Sequence, residues 1–384
     1  MSHHYVTLHI ITGLSTGGAE RALYNLLQGG LNTQFNSQVI SLIDKGTMGE
    51  KIEKLGVPVI TLDMPAGRPT LASIFKLRRI IKDLQPDLIQ GWMYHGNLVA
   101  TLARFFCSKK VPVIWNVRQS LYQIEKEKRL TRWVIKANRL LSKSVDKLLY
   151  NSQLSREQHE AFGFASEKGQ VIPNGINCQQ FSYSAKAREQ VRAELDMPSE
   201  SLVVGHVARF HPMKGHASFL QAAVSLAEKY PDVHFMLSGR EVTLTNPALK
   251  QHVPPELENR FYLLGERRDI SDLMSAMDIL CSSSGWGEAF PNVLGEAIAV
   301  GVPCVATDVG DSALIVGECG CVVKPGDSAV LEAGIESLLI MPESERKHLG
   351  EQGRQRIEDN FTLSVIVERY AERYKSIISD KRYN

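Results

Sequence analysis

A chain of 384 residues exceeds one ordinary hydrophobic core, so its length predicts two domains. With 43% hydrophobic and 22% charged residues the composition is that of a packed globular protein and excludes long disorder. A formal net charge of only +2 gives a nucleic-acid partner no support, so any electrostatic partner must meet a local patch.

The opening Met1-Ser-His-His-Tyr-Val-Thr-Leu-His-Ile-Ile-Thr lacks a basic leader, and its apolar run ends at Gly13; it reads as a first strand, not a signal peptide. From there short apolar runs alternate with amphipathic stretches, the pattern of parallel α/β sheets. Strands are expected at Val6–Ile11, Gln38–Ile43, Val59–Leu62, Leu88–Gln90, Val113–Asn116 and Lys147–Tyr150. Helices fall between them at Glu20–Gln28, Met48–Leu55, Thr70–Leu84, Gly96–Phe106 and Leu130–Leu141. Within 71–84, Leu71, Ile74, Phe75, Ile81 and Leu84 predict a buried stripe, and Lys76, Arg78, Arg79 and Lys82 a basic margin. Pro173–Asn177 and the polar stretch to about Ser201 read as a connection. The second half repeats the architecture without repeating the sequence, with strands at Leu202–Ala208, His234–Ser238, Phe261–Leu264, Ile279–Cys281, Cys304–Thr307 and Gly320–Val323. No stretch approaches the roughly 20 apolar residues of a membrane span. Of the six cysteines only Cys319 and Cys321 lie close together, with no second Cys/His pair at zinc-ligand spacing. A reduced, cytoplasmic protein without a structural metal is expected.

Three segments carry chemistry. Gly13-Leu-Ser-Thr-Gly17-Gly18-Ala-Glu20-Arg21 follows the first strand and opens a helix, where glycines let backbone N–H groups approach an anion. The same glycines suit an ordinary strand-to-helix turn, and the loop lacks the full dinucleotide spacing. Arg209-Phe-His-Pro-Met-Lys214-Gly215 follows the strand at 202–208, and its two cations can converge on a diphosphate. Ser282-Ser-Ser-Gly-Trp-Gly-Glu288-Ala289-Phe290-Pro-Asn292-Val293-Leu294-Gly-Glu296 follows the strand ending at Cys281. There Pro291 suits a helix start, which predicts open N–H groups on Asn292, Val293 and Leu294. Glu288 and Glu296 should stand about two helical turns apart.

This third segment resembles the Glu-x7-Glu signature of retaining glycosyltransferases with the GT-B fold, family four. The resemblance takes in Gly17-Gly18-Ala19-Glu20, Val171-Ile-Pro-Asn174-Gly175-Ile176-Asn177 with Phe181, Arg209 with Lys214-Gly215, Leu237-Ser-Gly239, Leu264-Gly265-Glu266-Arg267, Ala276-Met-Asp278-Ile279 and the closing Val367-Glu-Arg-Tyr370-Ala-Glu-Arg-Tyr374. It implies an α/β protein of two Rossmann-like domains facing across a deep cleft: an acceptor-side domain at 1–177, to which 366–384 returns, and a nucleotide-sugar domain at 178–365. It further implies that Arg209 and Lys214 neutralise a leaving nucleoside diphosphate. Glu296 would accept ribose hydroxyls, while Glu288 with the backbone of Ala289 and Phe290 would hold the donor sugar. Gly265 to Arg267 would border the base. Gly17, Gly18, Gly239, Asn292, Val293 and Leu294 complete the implied donor site. No cofactor or metal is implied, the nucleotide sugar being a substrate.

Two positions depart from the family pattern. Relatives carry a His after the strand spelled here Val-Pro-Val-Ile-Trp-Asn-Val117, where this chain has Arg118; its candidate histidine is instead His95, in Trp92-Met-Tyr-His95-Gly96-Asn97. Either residue could line the donor site. Asn177 stands where relatives often have Asp. The segment Gln123–Lys147 sets Lys126, Lys128, Arg129, Arg132, Lys136, Arg139, Lys143 and Lys147 against Glu125, Glu127 and Asp146, with Leu130, Trp133, Val134 and Leu140 interspersed. Such a stretch can rest on anionic lipid at the inner face of the plasma membrane, or pack its apolar side inward as a solvated helix. The expected reaction moves a hexosyl or N-acetylhexosaminyl unit from a UDP- or GDP-sugar to a glycan or lipid-linked acceptor in surface polysaccharide synthesis. The rivals are a sugar-nucleotide epimerase of the same fold and a catalytically silent binding subunit.

Overall fold

The computed structural model describes residues 5–15, 17–65, 69–122, 124–126 and 128–382. Met1–His4, Thr16, Gln123 and Glu127, which belong to segments named above, lie outside the described residues, as does the side chain of Lys126. Two units compose the chain. One holds the residues up to Gly175 and the helix beginning at Leu363; the other is Ile176–Thr362.

Among the described residues, the first unit has strands β1 (Val6–Ile11), β2 (Asn36–Ser41), β3 (Val59–Thr61), β4 (Leu88–Trp92), β5 (Val113–Val117), β6 (Lys147–Tyr150) and β7 (Gly169–Val171). They form one parallel sheet in the order β3-β2-β1-β4-β5-β6-β7. The second unit has β8 (Leu202–Val207), β9 (Val233–Ser238), β10 (Phe261–Leu263), β11 (Ile279–Ser282), β12 (Cys304–Thr307) and β13 (Gly320–Val323), again parallel, in the order β10-β9-β8-β11-β12-β13. In both sheets the order turns back after the first strand, beside β1 and β4 or β8 and β11. Ligands of open α/β sheets bind at the carboxyl ends of strands flanking such a point.

Both faces of each sheet are covered. The first sheet carries one apolar layer with Leu8, Ile10, Ile89 and Trp115 and another with Ile11, Leu88, Trp92 and Ile114. The last helix, Leu363–Arg382, completes the second of these layers: Ile366, Val367, Tyr370, Ala371, Tyr374, Ile377 and Ile378 recur at helical spacing and are all buried. Each large apolar group so buried contributes roughly 1.5–3 kcal/mol.

Several elements differ from expectation. β7 is an added three-residue edge strand. β4 runs on to Trp92 and its helix begins at Met93, so His95 stands in the first helical turn rather than at a strand end. The stripe expected inside helix Leu71–Leu84 is rotated. A capping box between Thr70 and Ser73 sets the phase, so Ser73, Leu77 and Ile81 are buried, whereas Leu71 and Phe75 are 76% and 65% exposed. Among the described residues all six cysteines are free thiols, and no three His, Cys, Asp or Glu side chains cluster as metal ligands would.

Candidate active site

In the second unit the loops after β8, β11 and β12 are sewn together by short contacts. After β8 the chain makes a one-turn helix at Pro212–Lys214, and Gly215 follows with φ 65°. A Cβ at Gly215 would stand 1.9 Å from Ser283 O, so only glycine lets this loop lie against the end of β11. Polar contacts hold the two loops: Gly285 N–H donates to Met213 O at 2.8 Å, Ser283 Oγ lies 2.9 Å from Lys214 O and 3.2 Å from Gly215 O, and Lys214 Nζ pairs with Glu288 Oε1. Ser284 Oγ donates to the same carboxylate oxygen at 2.8 Å. From β12, Thr307 Oγ1 donates to Ser284 O at 2.6 Å, and Asp311 N–H donates to Ala289 O at 2.9 Å. The Lys214 and Glu288 side chains are only 21% and 12% exposed, so the pair is shielded enough for its charges to act strongly.

Beneath the loop lie two histidines. His206 Nε2 lies 3.0 Å from Ser283 Oγ; because that hydroxyl gives its proton to Lys214 O, the imidazole is the donor. His216 meets His206 at 4.6 Å between ring centroids. Burial holds His206 well below the usual imidazole range and lowers His216 to about 4, so both are neutral near pH 7. They support the Lys214 loop by packing and hydrogen bonding, without adding positive charge.

Helix Asn292–Val300 starts directly after this cluster, with Pro291 at its N-cap and no side chain capping it. Its positive end therefore faces the segment that carries Glu288. One expectation fails here. Leu294 N–H donates to Pro291 O at 3.1 Å, because the first turn is tight, and so it is not open to an anion. Asn292 and Glu296 have interactions of their own within the protein. The helix begins at Asn292, so Glu296 is one turn inside it and Glu288 lies in the loop ahead of it. Ala289 and Phe290 are buried, the Phe290 ring centroid 5.9 Å from that of Phe361, so their side chains are turned into the protein.

The remaining implied residues divide. Arg209 is exposed beside the Lys214 loop, and among the described residues no carboxylate pairs with it. Gly239 abuts the same loop, its N–H donating to Gly265 O at 2.8 Å and its neighbour Ser238 O accepting from Ala208 N–H at 3.0 Å. Arg267 is committed elsewhere. Its guanidinium meets Glu194 at 2.5 and 3.1 Å and Asp269 at 2.9 and 2.6 Å, and these partners raise its pKa further. In the first unit Gly17 is the N-cap and Gly18 the first residue of helix Gly18–Leu26, again without a side-chain cap. His95 is half-buried, and burial lowers its pKa. Arg118 turns inward to protein partners described below. Sequence reasoning passed over His206, Ser283, Ser284 and Thr307; the run Ser282-Ser-Ser at a strand's carboxyl end is the signal that marks two of them.

Comparison with known proteins bears on this arrangement. A model described as Glycosyltransferase Family 4 matches residues 16–180, and one described as Glycosyl transferases group 1 matches residues 201–340. The chain is 24% identical over 325 residues to the capsular polysaccharide biosynthesis glycosyltransferase CapM of Staphylococcus aureus, covering 81% of this chain and 82% of CapM. It is 25% identical over 216 residues to an Escherichia coli UDP-Gal:alpha-D-GlcNAc-diphosphoundecaprenol alpha-1,3-galactosyltransferase, covering 55% of each. The crystal structure of Anabaena Alr3699/HepE in complex with UDP superposes with a TM-score of 0.83 at 25% identity, over 96% of this chain and 99% of that one. Two Rossmann-like units, each matched by a glycosyltransferase model, and the likeness to HepE make this a glycosyltransferase of the GT-B fold. The chain belongs to glycosyltransferase family four.

Proposed function

We propose that the chain transfers a hexosyl or N-acetylhexosaminyl unit, with retention of anomeric configuration, from a UDP- or GDP-sugar to a glycan or lipid-linked acceptor in surface polysaccharide synthesis. The observation that carries the reading is the shielded Lys214–Glu288 pair directly ahead of the uncapped helix Asn292–Val300. Lys214, with Arg209 beside it, offers positive charge to the departing diphosphate, and the Asn292 turn adds the helix dipole. Glu288, fixed by Ser284, accepts hydrogen bonds from sugar hydroxyls, and Glu296 accepts them from the ribose. The acceptor oxygen attacks the anomeric carbon on the face the diphosphate leaves, its proton passing to the departing phosphate oxygen. Since Arg209 and Lys214 supply the cations, the reaction needs no metal ion. The UDP held by HepE and the UDP-Gal named for the Escherichia coli relative favour the uridine half of the reading. A panel of UDP- and GDP-sugars is expected to yield slow, EDTA-insensitive release of one nucleoside diphosphate. Release from no donor, or an epimerised nucleotide sugar in its place, would overturn the proposal.

The acceptor side of the reading rests on an exposed face of the first unit. On helix Arg129–Leu141 only Ile135 and Asn138 are buried; Trp133 and Leu140 are each 72% exposed and Leu130 55%. Lys136 Nζ lies 5.7 Å from the Trp133 ring centroid, and Arg129, Arg139 and Lys143 are exposed too. Leu71, Phe75 and Phe105 add large exposed apolar groups on helical segments of the same unit. Aromatic and aliphatic groups interleaved with cations suit an anionic lipid surface. No helix among the described residues is long and apolar enough to cross a membrane. In flotation assays the protein should rise with phosphatidylglycerol vesicles at low salt and stay down with neutral ones. Trp133→Ser should weaken the association several-fold while transfer to a water-soluble acceptor persists. Equal behaviour with both vesicle types would remove the membrane from the proposal.

A further inference from the structure

Two peptide crossings, Gly175 to Ile176 and Thr362 to Leu363, are the covalent links between the units. The connecting segments run side by side. Ile176 forms a parallel bridge with Thr362 and donates its N–H to Phe361 O at 2.7 Å. A Cβ at Gly175 would stand 2.7 Å from Leu363 Cδ2 and 3.0 Å from Leu363 Cα, so the contact admits little more than glycine.

Arg118, just past the carboxyl end of β5, reaches both segments. Its Nη2 donates to Oδ1 of Asn174, the residue before Gly175. Its Nη1 lies 3.3 Å from the hydroxyl of Tyr370, about two turns into the helix that follows the second crossing. That nitrogen is also 3.3 Å from Asn116 Oδ1, and Asn116 Nδ2 donates to the Tyr370 hydroxyl at 2.8 Å. The guanidinium carbon stands 5.5 Å from the centroid of the Trp92 ring. Trp92, Asn116 and Tyr370 are all buried. A planar fork can serve Asn174 and Tyr370 at once, which a lysine ammonium or an imidazole cannot do from the same place.

We infer that Arg118 is a positioning residue: it fastens both crossings to β5 so that they shift together, and it does not grip the donor. This goes beyond the proposed reaction, which assigns Arg118 no step. Truncating it removes the donor that Asn116 Oδ1 receives and cuts the ties from β5 to Asn174 and to Tyr370, which keeps its bond from Asn116 Nδ2.

Hydrogen–deuterium exchange on the full-length protein tests this, read at peptides spanning 172–177 and 363–370. Both Arg118→Ala and the less disruptive Arg118→Lys should speed exchange in the two segments together, by about tenfold, with the second sheet unaffected. UDP and GDP binding, followed by calorimetry, should stay within about twofold of wild type, since the residues proposed to hold the nucleotide are elsewhere. Tyr370→Phe should speed the 363–370 segment. Unchanged exchange in either segment of the lysine variant would overturn the inference, as would a large loss of nucleotide affinity with exchange unaltered. The exchange readout does not depend on activity, so it stands even if neither nucleotide binds the wild type and the reaction reading fails.

Discussion

Glu288→Gln is expected to bind the nucleoside diphosphate as well as the wild type, or better, yet to transfer sugar about 10³-fold more slowly. The amide keeps the shape of a side chain that is mostly shielded and already receives Lys214 Nζ and Ser284 Oγ on one oxygen. What it removes is the negative charge. Lys214, released from its partner, is then freer to meet phosphate, which is why affinity survives. The sugar loses a charged acceptor whose hydrogen bonds strengthen as charge develops at the anomeric carbon. Calorimetry with the diphosphate and steady-state release assays separate the two effects. Transfer at a normal rate in this variant would show that Glu288 does not serve the sugar.

Lys214→Ala should damage both quantities. The ammonium is the charge that the leaving diphosphate would meet inside the sewn loops, and a hydrogen bond to a charged group is worth about 1.5–3 kcal/mol, or roughly 10- to 150-fold in affinity. The rate should fall further, by about 10²-fold beyond binding, because the negative charge on the leaving group grows in the transition state. The variant also takes the ammonium from Glu288 and leaves the Ser284 hydroxyl donating to it, so the melting temperature should drop. Wild-type nucleotide affinity in Lys214→Ala would detach the loop after β8 from the diphosphate. The pair of variants is informative because the contrast between them, and not either loss alone, distinguishes a sugar-side carboxylate from a phosphate-side cation.

Much of this was readable in the residues, and the rest fails for identifiable reasons. Strand runs such as Leu202–Val207 and Cys304–Thr307 are apolar on both faces and sit between helical periods, which places them in a parallel sheet without further knowledge. Gly169–Val171 escaped because a three-residue edge strand is too short to show a period. Phe75 looked internal because helical spacing fixes which residues share a face but not which face is turned inward; Thr70 and Ser73 decide that. Arginine partners are the least legible. Glu194 stands 73 positions from Arg267 and Tyr370 stands 252 positions from Arg118, so no local pattern announces either engagement. The cation and carboxylate at Lys214 and Glu288 are 74 positions apart as well, yet each follows a strand beside the point where the sheet order reverses, and topology brings them together.

The helix Leu363–Arg382 closes a layer of the first unit but leaves the ribosome after the whole of Ile176–Thr362. The second unit, contiguous in the chain, can reach its native state during synthesis. The first must wait, with part of the apolar layer that holds Trp92 and Ile114 unfinished, until residues 363–382 arrive. Nascent chains stalled before that point would present a sticky, half-built sheet, the form most in need of a chaperone.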